Sequence, residues 1–131
     1  MIRLTFKAAI ALLIFLSGGA WAQQYRYGAE VTLYGTIVSA PGETPDGKRN
    51  AYPALELVVP VTVNPEPGDE EFSPTEKGVM LLQMVLDQRG MAEFKRLKGK
   101  RASVSGTLFH SDNGNHQTDV LIDVSLISES R

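Results

Sequence analysis

The stretch KGKRASVSGTLFHSDNGNHQTDVLIDVSLI, residues Lys98–Ile127, contains two strand-like segments joined by a polar turn. From Ala102 to Leu108, small or apolar residues alternate with hydroxyl-bearing ones, which is typical of a strand with one buried face. Phe109 continues the strand on the side of the hydroxyl-bearing residues. The turn, SDNGN, is rich in residues that tolerate left-handed backbone, so the two strands are expected to pair antiparallel. The second strand is predicted from Thr118 to Ile127, and its buried face is expected to carry Val120, Ile122, Val124 and Leu126.

A glycine interrupts each of two predicted strands. Gly106 lies inside Ala102–Phe109, and Gly35 lies inside an earlier strand, Glu30–Ser39. Glycine weakens a strand and usually marks a bulge, a sharp bend or a close backbone contact. Two such positions favour a strongly curved sheet, as in a barrel.

The segments before this hairpin complete a small β fold. Further strands are predicted at Tyr52–Val63, where Pro60 indicates an edge or a bulge, and at Gly78–Val85. The proline-rich and glycine-rich segments 40–50 and 64–77 are predicted to be loops. A helix is predicted over Asp87–Lys98, since Asp87 is an N-cap residue and Gly99 follows its end. The order predicts a mainly β protein, a five-stranded OB-like Greek-key barrel with one helix between strands 3 and 4.

The first 22 residues have the pattern of a cleaved signal peptide. Arg3 and Lys7 precede the apolar run 8–16, and the small-residue pattern predicts cleavage between Ala22 and Gln23. The run is shorter than the ~20 residues needed to span a bilayer, although a retained anchor is the alternative. We therefore expect a periplasmic or secreted protein with one domain, residues 23–131, and no stable membrane span after cleavage.

Composition excludes several classes of chemistry. The chain contains no cysteine, so disulfides, cysteine-based zinc sites and thiol catalysis are excluded. Without Arg3 and Lys7, the thirteen basic residues fall to eleven against fifteen acidic ones, a net charge of −4. An acidic balance disfavours a nucleic-acid partner, because phosphate binding depends on clustered positive charge.

The segments GKRASVSGTLF and HQTDVLIDV resemble an exported bacterial family called domain of unknown function 4431. The preceding segments LELVVPVTV and VMLLQMV are similar to its general layout. The family's turn carries two adjacent histidines before the threonine, whereas this chain has His116 followed by Gln117. The resemblance implies export and a small β domain, and it implies no activity.

The hairpin turn is the first candidate site. An imidazole and carboxylates on one short loop are possible ligands for a divalent metal, and the alternative is a solvated turn that caps its own backbone. No cofactor other than such a metal is expected. The residues considered as metal ligands are His110, Asp112, His116 and Asp119.

Two further groups of residues are candidates for ligand contact. A cluster of cations at the end of the predicted helix indicates either an anion-binding patch or cations that complement the helix C-terminus. Its members are Lys95, Arg96, Lys98, Lys100 and Arg101. Aromatic side chains predict either a stacking surface or packing beneath the helix or loops, and they are Tyr34, Tyr52, Phe72 and Phe109. Tyr34 and Phe109 fall opposite the main apolar faces of their strands, which favours an outward position.

The sequence favours an exported, non-catalytic binding module whose partner is an envelope protein or a cell-wall glycan. Its first-choice surface is the turn His110–Thr118 with the basic rim of Lys98, Lys100 and Arg101 beside it. A metal-binding protein is the second hypothesis. A hydrolase is the third, because no nucleophile motif such as GxSxG and no HExxH is present.

Overall fold

The computed structural model describes residues 23–130, so the predicted signal peptide and its cleavage site lie outside the described residues except for Gln23. The elements in chain order are β1 (Gln23–Arg26), β2 (Glu30–Glu43), β3 (Arg49–Asn64), β4 (Glu76–Val85), α1 (Gln88–Leu97), β5 (Arg101–His110) and β6 (Val120–Glu129). The prediction of a mainly β fold with one helix between the third and fourth barrel strands is confirmed.

Five of the strands close into a barrel. β2 pairs with β3 and with β5, β5 pairs with β6, and β3 pairs with β4, all antiparallel. A parallel pairing between β4 and β6 closes the circle. This strand order, β2-β3-β4-β6-β5, is that of the OB-fold, with β2 as its first strand and β6 as its fifth.

Two glycines allow the barrel to curve, as the sequence predicted. A Cβ on Gly35 would lie 2.1 Å from the Glu56 carbonyl oxygen, and one on Gly106 would lie 2.2 Å from the Asp123 carbonyl oxygen. Both distances are too short for any side chain, so the neighbouring strands can approach this closely only at glycine. A register shift between β5 and β6 also falls between Ser105 and Gly106.

The helix closes one end of the barrel. Asp87 is its N-cap and accepts a hydrogen bond from Gly90 N at 2.7 Å, while Gly99 takes a φ of +86° just after its end. The helix contributes Phe94 and Leu97 to the barrel core. That core contains the inward-facing residues of every barrel strand, including Ile37, Leu55, Leu82, Val104 and Ile122.

The register of β6 differs from the prediction. Leu126, expected on the buried face, is 59% exposed, and Ile127 is buried at 5% exposure. The cause is the bulge: Gly106 faces Val124 while Ser105 faces Leu126, so Ser125 has no partner and the alternation changes phase. The single-sequence pattern cannot show this change, because it requires the partner strand.

Two other details differ from the sequence prediction, and one agrees with it. The predicted loop 40–50 is shorter than expected, because β2 runs to Glu43 and pairs with Arg49 at the start of β3. β1 adds a sixth strand, parallel to β3, in a segment that has too little alternation to predict one. Pro60 lies in a register shift between Glu56 and Val61, as predicted.

In the part of the chain described, α1 is too short and too polar to cross a membrane.

Candidate functional site

His110 ends β5 and is bonded through both ring nitrogens. Its Nε2 lies 2.8 Å from a carboxylate oxygen of Glu76, the first residue of β4, and its Nδ1 lies 3.0 Å from the Ser111 carbonyl oxygen. Both partners are acceptors, so the protonated ring satisfies both contacts as a donor. The contact joins the end of β5 to the start of β4 beside the hairpin turn.

The surroundings of His110 favour its charged form. Burial alone lowers the pKa of His110, but the hydrogen bonds to Glu76 and the Ser111 carbonyl and the charges of Glu76 and Asp119 outweigh burial and raise the pKa. The ring of Tyr27 packs edge-on against the imidazole, with ring centroids 5.7 Å apart.

Tyr27 is buried at the same end of the barrel. Burial, reinforced by the charges of Glu76 and Asp119, raises the pKa of Tyr27, so its hydroxyl stays protonated. That hydroxyl donates to the Pro74 carbonyl oxygen at 2.8 Å. Tyr27 and His110 together anchor the segment that leads into β4.

His116 has a different role within the turn. Its Nδ1 accepts a hydrogen bond from the backbone N–H of Asp112 at 3.1 Å, and its ring packs edge-on against Phe109 with centroids 5.6 Å apart. Phe109 is half-buried by this contact, so its ring is not a free stacking surface. His116 therefore fits the alternative stated for the turn, in which its polar groups bond to the turn's own backbone.

The structure does not gather the four predicted metal ligands. Within residues 23–130, no group of three or more His, Cys, Asp or Glu side chains is arranged to hold a metal ion. The Nε2 of His110 faces Glu76, whereas the Nδ1 of His116 faces the Asp112 backbone. A metal at His110 would have to replace the hydrogen bond to Glu76.

The predicted basic rim lies away from the turn. Arg101 and His110 are the first and last residues of β5, so they are separated by about 30 Å along the strand. Lys100 pairs with Glu129 at 3.7 Å, and Lys98 follows the helix end. The expectation that the rim lies beside the turn is therefore wrong, because β5 separates them.

Gln117 and Thr118 tie the turn to the rest of the barrel. The Gln117 side-chain amide accepts from Glu43 N at 2.8 Å and donates to Glu43 O at 2.7 Å, so it binds both backbone groups of one residue. Its own N–H donates to the Gln83 side chain at 2.7 Å, and Thr118 Oγ1 accepts from Gln83 N at 2.9 Å. The loop between β5 and β6 is thereby folded onto β2 and β4.

This contact covers part of the usual ligand face of an OB-fold. OB-folds bind ligands on their second and third strands, between the loops that follow strands 1 and 4. Here those strands are β3 and β4, and Gln117 bridges the two loops. Tyr52, considered as a stacking residue, is buried on this face at 8% exposure with Ala40 and Ala54. Its hypothetical role in stacking is wrong, because the ring packs within the sheet surface.

The opposite surface of the barrel remains open. We call it the Tyr34 face, and it is made of outward side chains from the central part of β2, β5 and β6, which are Thr32, Tyr34, Ser103, Ser105, Thr107, Leu126 and Ser128. The outward carboxylates Glu30 and Asp123 lie at its border. Tyr34 is 61% exposed. A groove beside it is lined by Tyr25, Thr32, Val58 and Val59, of which the two valines are also exposed.

Sequence reasoning identified Tyr34 as outward-facing but did not identify its neighbours. The alternation within each strand predicted which hydroxyls point outward. The sequence predicts that β5 pairs with β6, but the alternation does not show that β5 also pairs with β2. Only the two pairings together assemble these side chains into one surface. The exposure of Val58 and Val59 comes from the irregular stretch around Pro60, where the pairing of β3 with β4 is interrupted.

The arrangement around His110 does not activate a nucleophile. Its two nitrogens contact a carboxylate and a carbonyl, and the contribution of Ser111 is its backbone oxygen rather than its hydroxyl. General-base activation of a serine needs a hydroxyl within hydrogen-bond reach of the imidazole. The geometry is that of a structural ion pair.

The comparisons with known proteins agree with the sequence resemblance. Residues 81–128 match the profile of the family described as "Domain of unknown function (DUF4431)". The matched range begins inside β4 and includes α1, β5, the turn and nearly all of β6. It confirms the family resemblance over this part of the chain. No protein in a search of curated proteins matches the chain. The family description names no activity.

Proposed function

We propose that this chain is an exported, non-catalytic binding module that recognises a component of the cell envelope, and that the Tyr34 face is its recognition surface. The observation that carries the proposal is the exposure of Tyr34, 61%, on a face built entirely from barrel strands. Side chains on paired strands are held more firmly than those on loops, so the surface is ready to bind without reorganisation.

Exposed apolar side chains beside Tyr34 support this choice of surface. Val58 and Val59 are 54% and 51% exposed and border the same groove as Tyr34. Apolar groups that cluster on a surface and are surrounded by polar residues typically mark binding sites. The hairpin turn, the first choice from the sequence, is a weaker candidate because its side chains are engaged with the chain itself.

The experiment is a capture assay with an envelope extract, using the processed protein purified from cells that express the full chain. The variants are Tyr34→Ala and, as a matched control, Phe72→Ala. Phe72 is 75% exposed, lies in the loop between β3 and β4, and does not line the groove beside Tyr34. Capture of one envelope component by wild type and Phe72→Ala, with loss in Tyr34→Ala, is the expected result.

Two other outcomes would contradict the proposal. Equal capture by all three proteins would remove the Tyr34 face as the recognition surface. Capture that EDTA abolishes, together with loss in the double variant His110→Ala and His116→Ala, would favour the metal-binding hypothesis. Circular dichroism of each variant shows whether its barrel is intact, and Tyr34→Ala is expected to fold because the ring is exposed.

A further inference from the structure

We infer that the ligand of the Tyr34 face is an uncharged glycan chain. This inference rests on the proposed function and specifies the chemical class of the ligand. It follows from three properties of the face, which are an exposed aromatic ring, a dense set of hydroxyl groups and the placement of two carboxylates at its border.

The aromatic ring lies at one side of an extended, regular surface. Neighbouring strands are about 4.8 Å apart, so a row of three residues spans about 10 Å. Two rows cross the face, and their members are Tyr34, Ser103 and Ser128 in the first and Thr32, Ser105 and Leu126 in the second. A sugar ring has an apolar face of C–H groups that packs against an aromatic ring, and its rim carries hydroxyls.

The hydroxyl groups match that rim. Thr32 Oγ1 and Ser105 Oγ lie 2.8 Å apart and bond to each other, and Ser125 Oγ donates to the Ser105 carbonyl oxygen at 3.1 Å. Each side-chain hydroxyl is both donor and acceptor, as each sugar hydroxyl is, so either partner can supply the proton. A surface of this kind binds a chain of hydroxyl groups without needing a charge.

The charges at the border argue against an acidic ligand. A third row consists of Glu30, Thr107 and Asp123, so two carboxylates lie on either side of one hydroxyl at an end of the face. Carboxylates accept hydrogen bonds from sugar hydroxyls but repel uronic acids and phosphates. In the described pairing of β2 with β5, Arg101 is the one cation, and it lies beside Thr36 at the other end of the two strands.

The composition of the face also favours a glycan over a protein partner. Protein interfaces have a core rich in aromatic and aliphatic side chains, and a standard one buries about 800 Å² on each partner. The two central rows hold four hydroxyl-bearing residues besides Tyr34 and a single aliphatic residue, Leu126. The two central rows therefore have more hydrogen-bonding groups than apolar ones, and the exposed Val58 and Val59 lie in the groove beside them.

The test is an NMR titration of the processed protein with three defined oligosaccharides. N-acetylchitohexaose and cellohexaose are uncharged probes, and oligogalacturonate is the acidic comparator. We expect at least one uncharged probe to shift the amide signals of Tyr34, Ser103 and Ser105, with oligogalacturonate causing no saturable shift. Tyr34→Ala should weaken binding about tenfold, because it removes the stacking ring.

Two further variants make the result specific. Tyr34→Phe keeps the ring and should keep most of the affinity, whereas Phe72→Ala should bind as wild type does. Binding that is unchanged in Tyr34→Ala, or that occurs only with oligogalacturonate, would overturn the inference. If no probe binds but an envelope protein is captured in a Tyr34-dependent way, the glycan inference fails and the proposed function stands. If neither occurs, both fail.

Discussion

The Nε2 of His110 lies 2.8 Å from the carboxylate of Glu76, and this contact connects the last residue of β5 to the first residue of β4. The two strands are not paired with each other in the barrel. The ion pair therefore links elements that the sheet hydrogen bonds leave separate at this end. Both side chains are mostly shielded, at 14% and 27% exposure, so the contact is less weakened by solvent than a surface ion pair.

The stability of the barrel should depend on pH through His110. The pKa of His110 is raised in the folded protein, so the stabilisation is complete below the ordinary histidine value of about 6.5 and is lost as pH rises through the folded pKa. Relative to His110→Gln, wild type should be more stable at pH 5 by about 1.5–3 kcal/mol, the usual contribution of a charged hydrogen bond. Urea unfolding at pH 5 and pH 9 measures the difference, which should shrink at pH 9.

Glu76→Gln is the matched control for this experiment. It retains the side-chain shape but removes the charge that faces His110. In the Glu76→Gln background, His110→Gln should have a much smaller pH-dependent effect. A wild-type advantage that stays constant from pH 5 to pH 9 would contradict the assignment of the effect to this ion pair.

The shifted alternation of buried and exposed side chains in β6 gives a second prediction. Ile127→Ala should destabilise the protein by about 2–5 kcal/mol, because it leaves a cavity in the core. Leu126→Ala should change stability by no more than about 0.5 kcal/mol, because the side chain is exposed. Thermal or urea unfolding of the two variants provides the comparison. The opposite order would mean that the alternation continues without a bulge, as the sequence alone indicates.

The barrel could be predicted because its main signals are local. Strand alternation, the Asp87 cap, Gly99 and the two strand glycines each depend on a few neighbouring residues, and together they indicate the element order. The phase of Leu126 and Ile127 could not be predicted, because the bulge depends on how β5 meets β6.

The candidate site was less predictable than the fold. His110 and His116 are close in sequence, but one bonds across the barrel to Glu76 and the other bonds within the turn. The basic rim and the turn are near each other in sequence, but they lie at opposite ends of β5. Nearness in sequence does not show the length of the strand that separates them. The alternation within its strand predicts that Tyr34 faces outward. The surface around Tyr34 depends on the long-range pairing between β2 and β5, which the alternation does not show.

Export gives a third prediction, which concerns residues outside the described part of the chain. Mass spectrometry of the protein from the periplasmic fraction or the medium should show a chain that begins at Gln23. Replacing both Ala20 and Ala22 by leucine should block processing, because signal peptidase requires small residues at these positions. A wild-type chain that retains Met1 would contradict the signal-peptide prediction and favour a retained anchor.

The contact between Gln117 and Glu43 gives a fourth prediction. Gln117→Ala removes an acceptor for Glu43 N and a donor to Glu43 O, so the loop between β5 and β6 loses its attachment to the end of β2. We expect a loss of stability of about 1 kcal/mol, because both bonds are exposed to solvent. The amide proton of Glu43 should exchange faster in the variant, which hydrogen-exchange NMR measures.

Asn115→Ala is the control for the Gln117 variant, since Asn115 takes part in the turn through its backbone N–H and carbonyl. It should leave the exchange of Glu43 unchanged. The Gln117 variant should also leave oligosaccharide binding unchanged, because Gln117 lies on the β3–β4 side of the barrel and the Tyr34 face lies on β2, β5 and β6. If Gln117→Ala instead abolishes binding while Tyr34→Ala does not, the usual OB-fold face is the recognition surface and the loop that covers it is part of the site.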